Sequence, residues 1–179
     1  MMKSILLLLL FSLPFQASAQ APTKTAPTLR SILLHQLQTT HNKEEWFVPA
    51  NVAVAGLTAE QAKWTDDKGN HSVGQLANHL IFWDTRNLEK FEGKPLEKFS
   101  GNNDETFNAF DDKQWAATVQ QLDKVLTAWE KAVESADEKK LEAWAPTIAN
   151  ISTHNAYHIG QIIYVRKEQG SWNPANGVK

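Results

Sequence analysis

Apolar residues recur at intervals of three and four along most of this chain, and nowhere do they alternate long enough to make a useful strand. Intervals of three and four lay apolar side chains along one face of an α-helix. The expected fold class is therefore all-α. Punctuation divides the pattern. Pro27 and Thr28 precede Leu29, Ile32, Leu33, Leu37 and Thr40, which predict a first helix over 29–48, with Pro49 ending or kinking it. Residues 50–55 can form a second piece, and Thr58-Ala59-Glu60-Gln61 a short helical turn. Ser72 and Gln75 fit a capping box, in which the hydroxyl accepts from the third helical amide and the glutamine reaches back. They open a second long helix over 73–92, with Val73, Leu76, Leu80, Leu88 and Phe91 on one face and Gly93 and Pro95 beyond its end.

A third helix is expected over 112–135, where Trp115, Val119, Leu122, Leu126, Trp129 and Val133 keep the period and Asp111-Asp112 suits the positive N-terminus. Residues 137–140 read as a charged turn. Pro146-Thr147 then opens a fourth helix over 148–169, which stops at Gly170. Between the second and third helices, residues 94–110 are long and polar, with Gly101-Asn102-Asn103 in the middle. Connections of that length often carry function. Four amphipathic helices with one long crossover connection describe a four-helix bundle.

The N-terminus reads as a different kind of segment. Lys3, the short apolar run from Ile5 to Leu13, and Ala17-Ser18-Ala19 have the order of a secretory signal peptide. The expected organisation is a signal peptide over 1–19, a disordered leader over 20–27 and one domain over 28–179. The expected location is periplasmic or secreted, with no stable membrane insertion after cleavage. Formal charge is 18 − 20 = −2, and 17 − 20 = −3 once Lys3 is lost. A mildly acidic chain lacks the basic footprint of a nucleic-acid binder. Cysteine is absent, which excludes disulfides, a thiol nucleophile and thiolate ligands.

Histidines carry the chemical signal. His154 and His158 stand one helical turn apart within the stripe Ile151, His154, His158, Ile162, Val165. Such a pair can converge on one divalent metal, or can be two structural imidazoles with separate hydrogen-bond partners. His79 lies on the shoulder of the second helix, where a third ligand could come from. His41 is a reserve ligand, while His35 reads as an exposed polar position and His71 as part of the loop before Ser72. The His154-x-x-x-His158 spacing is that of a zincin helix, but Asn155 stands where the catalytic glutamate would be. A phosphate-binding glycine loop, a Gly-x-Ser-x-Gly elbow and the paired Glu-x-x-His motifs of di-iron bundles are all missing.

Two segments resemble the DinB-like superfamily, also called DinB/YfiT-like: His71-Ser72-Val73-Gly74-Gln75-Leu76-Ala77-Asn78-His79-Leu80 and His154-Asn155-Ala156-Tyr157-His158-Ile159-Gly160-Gln161-Ile162. Trp46 and Leu57-Thr58-Ala59-Glu60-Gln61-Ala62 are similar to it as well, so the resemblance covers most of residues 28–169. It implies a four-helix bundle with a long crossover and a divalent metal held by His79, His154 and His158, with zinc or nickel the expected ions. Some relatives are thiol-dependent transferases or isomerases. The reading that follows is an exported metal-dependent hydrolase or transferase acting on a small molecule. The alternative is a non-catalytic bundle that binds a metal or a ligand. Glu45, Asp84 and Tyr157 are candidates for a general base. Gln161 is a candidate to accept the second N–H of a ligating imidazole. A leftover apolar face would allow a homodimer.

Overall fold

Hydroxyl residues start the helices where the sequence places them. Ser72 accepts from the Gln75 amide at 3.1 Å, and the Gln75 side chain accepts from the Ser72 amide at 2.9 Å. Thr28 and Thr58 form the same reciprocal box with Ser31 and Gln61. Each box satisfies amides that the first turn leaves without a helical partner. The computed structural model describes residues 26–66, 68–108 and 110–177. Its helices are α1 (Leu29–His41), α2 (Ala50–Val54), α3 (Ala59–Lys63), α4 (Val73–Phe91), α5 (Glu105–Asn108), α6 (Trp115–Ser135) and α7 (Glu138–Glu168). Short 3-10 turns cover Asp112–Gln114 and Pro174–Asn176, and no strand occurs among the described residues. The expected signal peptide and most of the leader lie outside the described residues.

The four long helices, α1, α4, α6 and α7, make the bundle. Each of α4 and α1 packs against both α6 and α7, so α4 and α7 are neighbours around the core. Trp129, Leu80, Leu122, Ile148 and Ile162 are fully buried there. A large apolar side chain buried in this way contributes roughly 1.5–3 kcal/mol. Indole N–H groups that enter the core find acceptors: Trp129 donates to the Asp84 carbonyl at 3.0 Å and Trp115 to the Leu57 carbonyl at 2.9 Å. No helix among the described residues is long and apolar enough to cross a membrane.

Three helix boundaries differ from the expected ones. The first helix ends at His41 rather than 48, because residues 42–47 are exposed and supply no core contact to hold further turns. Pro49 then stands as the cap of α2. Asp112–Gln114 is a tight 3-10 turn feeding into α6 at Trp115, with the Asp111 carboxylate accepting from the Lys113 amide at 3.0 Å.

The largest correction is at the last helix. Residues 137–140 are not a turn separate from it: Asp137 caps α7 by accepting from the Lys140 amide at 2.8 Å, and Pro146 lies inside the helix. Pro146 is exposed, as is Glu142, the residue whose carbonyl loses its helical partner, so the lost bond lies on the solvent side of the helix. Meanwhile Leu141 and Ile148, on either side of it, are fully buried and hold both turns to the bundle.

The long connection after α4 is also more ordered than its composition suggests. It contains α5, which packs on α4, and it closes back over the start of α4 at Phe110. The Phe110 ring occupies the space where a Cβ on residue 74 would stand, so Gly74 is what lets the connection lie this close.

Candidate metal centre

His79 projects from α4, and His154 and His158 from α7. The His79 and His154 Nε2 atoms are 3.2 Å apart, and those of His158 and His154 are 3.1 Å apart. All three residues offer a ligand atom within 4.8 Å of one another. Three ligands about 2.0–2.1 Å from a tetrahedral zinc stand roughly 3.3 Å from each other. The observed separations are close to that value.

Hydrogen bonds decide which nitrogen each ring presents. Thr106, on α5, donates its hydroxyl hydrogen to the Asn103 carbonyl at 2.6 Å. Its oxygen is then an acceptor, 2.5 Å from His79 Nδ1, so Nδ1 carries the proton. Likewise the Gln161 carbonyl oxygen accepts from His158 Nδ1 at 2.6 Å, while the Gln161 amide donates to the Tyr157 hydroxyl at 3.3 Å. In their neutral forms both rings therefore turn an unprotonated Nε2 inward. His154 Nε2 could carry a hydrogen for one of them, but not for both. A cation among the three nitrogens satisfies every lone pair at once, so this donor set fits a divalent metal.

Electrostatics keep the rings neutral. Burial pushes His79 down to about 3, and a proton on His158, His154 or His71 would repel a second charge there. Burial likewise brings His158 to about 4, against the opposing Gln161 hydrogen bond, and lowers His154. Protons thus compete weakly for these nitrogens. Stacking fixes the His79 ring from the other side. Phe107 lies between His71 and His79, 3.9 Å from each ring and within 7° of parallel to both.

The three histidines line a cavity of about 540 Å³, whose wall also includes Trp83, Asp84, Asn103, Asn150 and Tyr157. No fourth His or carboxylate joins the cluster among the described residues. A centre with three protein ligands on an open cavity leaves a position for water or substrate, as catalytic sites do and closed structural sites do not.

The remaining sequence candidates separate clearly. Asp84 is fully buried on the cavity wall, and burial pushes its carboxyl up to about 7. Its Oδ1 accepts from the Asn155 amide at 3.2 Å, while Asp84 Oδ2 and Asn155 Oδ1 have no hydrogen-bond partner. Tyr157 lines the cavity but is exposed. Glu45 does not line it: its carboxylate pairs with Lys43 at 2.8 Å and His35 at 3.0 Å. His41 does not join the cluster either. It is buried between carboxylates, with Nδ1 2.5 Å from Glu130 and Nε2 2.9 Å from Asp123, and ties α1 to α6. Both of its nitrogens are spent there.

Sequence reasoning missed Asn103, Thr106 and Phe107. The length of the connection was the one signal for them, since a single turn of helix leaves no periodic trace.

A family model described as the DinB superfamily matches residues 50–163, a span from α2 into α7 that contains all three histidines. Among curated proteins and solved structures, none matches the chain significantly.

Proposed function

The chain belongs to the DinB superfamily, and from that premise we propose an exported metalloenzyme that uses a three-histidine centre on a small molecule, as a hydrolase or a transferase. His79, His154 and His158 are its ligands, and zinc or nickel its ion. The observation that carries the reading is the pair of acceptors on the outer ring nitrogens: Thr106 and Gln161 each accept a hydrogen bond from Nδ1 and leave Nε2 free toward one cavity. A divalent ion bound there supplies Lewis acidity toward a substrate oxygen or lowers the pKa of water.

The chain's own residues supply the rest. Asp84, with a carboxyl near 7 on the same wall, can give or take a proton at neutral pH. Asn150 and Tyr157 offer hydrogen bonds that orient a substrate in the cavity. Phe107 and Trp83 give the cavity an apolar surface. Export rests on Lys3, the apolar run and Ala17-Ser18-Ala19. It predicts an intact mass beginning at Gln20 for protein recovered from the native host, and full-length protein in the cytosol would defeat it.

The centre is tested by elemental analysis of untagged protein. One equivalent of zinc or nickel is expected in the native chain, and almost none in a His79→Ala, His154→Ala, His158→Ala variant. Equal metal in both would remove the site. Substrate profiling of the loaded protein, with Asp84→Asn alongside, then tests the chemistry. Turnover that needs the metal but is indifferent to Asp84→Asn would remove the proton-transfer role.

A further inference from the structure

Arg86, Lys90, Lys94 and Lys98 follow at intervals of four, from the C-terminal part of α4 into the long connection, and all line one cleft of about 500 Å³. Glu97 is the only carboxylate in that lining, in a chain whose acids outnumber its bases by 20 to 18. Lys94 is matched by Glu92 at 2.7 Å. Arg86, Lys90 and Lys98 have no ion-pair partner among the described residues.

Packing alone explains little of this. Like charges one turn apart oppose a helix. The negative C-terminus of α4 favours Lys90, but Arg86 stands more than a turn earlier and Lys98 lies beyond the helix. Arg86 is also held in place. It donates to the Glu97 carbonyl and lies 5.9 Å over the Phe99 ring, with most of its five N–H groups left over. A planar guanidinium fixed in this way suits the paired oxygens of a phosphate or carboxylate.

The cleft adjoins the histidine cavity: Trp83 and Asn87 line both. The Trp83 indole is anchored by donating to the Asn103 side chain at 3.1 Å, and the Asn87 amide donates to the Trp83 carbonyl at 2.8 Å. We propose that Arg86, Lys90 and Lys98 form an oxyanion subsite, so that the substrate is a small molecule with a phosphate or carboxylate arm reaching from the histidine cavity into this cleft. The substrate assignment rests on the metalloenzyme reading; the anion site does not.

The test titrates the full chain, metal-free and zinc-loaded, with inorganic phosphate and separately with succinate, followed by backbone amide NMR. Saturable shifts should fall on residues 86–98 in both metal states, and whichever probe binds more tightly identifies the arm. Arg86→Gln with Lys98→Gln should weaken that binding at least tenfold, whereas His154→Ala should leave it within twofold. Saturable shifts in a chain that binds no metal would uphold the cleft and sink the metal reading alone. Shifts that never saturate would overturn the subsite. So would shifts that appear only with zinc and vanish in His154→Ala, since the anion would then be sitting on the metal.

Discussion

Thr106 decides which nitrogen of His79 is bare, although it is neither a ligand nor on the same helix. Its one hydroxyl hydrogen goes to the Asn103 carbonyl, so toward the imidazole it can only accept. Thr106→Val keeps the shape and removes both bonds. Metal affinity should fall roughly 10- to 100-fold with the helical content unchanged, as read by chelator competition and circular dichroism. Asp84 makes a prediction about pH. Burial raises its carboxyl from an ordinary 3.8 to about 7, so the fold favours the protonated form. That contribution is fully present below 3.8 and is lost as pH rises through 7. Asp84→Asn stays neutral and offers the orphaned Asn155 oxygen a donor. Chemical denaturation above pH 7 should find the variant more stable by a few kcal/mol, on the order of the shift converted at about 1.4 kcal/mol per unit. The difference should close as pH falls toward 3.8.

At the level of elements, α7 shows what local rules read and what they miss. The period of Ile151, His154, His158, Ile162 and Val165 was legible because a single face of one helix is a short-range property. The start of α7 was not legible. Proline is a helix stop only when its neighbours lack tertiary support, and Leu141 and Ile148 supply that support through burial against other helices, which local sequence does not show. Pro146→Ala restores an amide that can bond within an exposed helix interior. It should raise the stability measured by urea unfolding by about 1–3 kcal/mol, and loss of stability would mean that the proline's kink is needed to seat the first turns. The capping box of α4 was legible for the same reason as the period: Ser72 and Gln75 are three residues apart. The pairing of Thr106 with His79 spans 27 positions and depends on how the connection after α4 closes, which Gly74 permits by lacking a Cβ. The ring support from Phe107 was hidden by the same separation.

For the whole molecule, the candidate centre joins α4 to α7, two helices that the sequence leaves far apart and the bundle makes neighbours. A metal held by both binds the folded chain and not the unfolded one, so it adds stability by mass action. The melting temperature of the native chain should rise with added zinc, and that of the triple histidine variant should not. Equal rises in both would mean that the ion binds elsewhere. The oxygen that orients His79 comes from a short segment resting on the outside of α4, while the ligands themselves are anchored in long helices. Such a segment can detach by local opening without unfolding the bundle. The residence time of the ion would then follow that opening rather than the lifetime of the native state. A centre of this kind can be rugged at equilibrium and still trade its metal quickly.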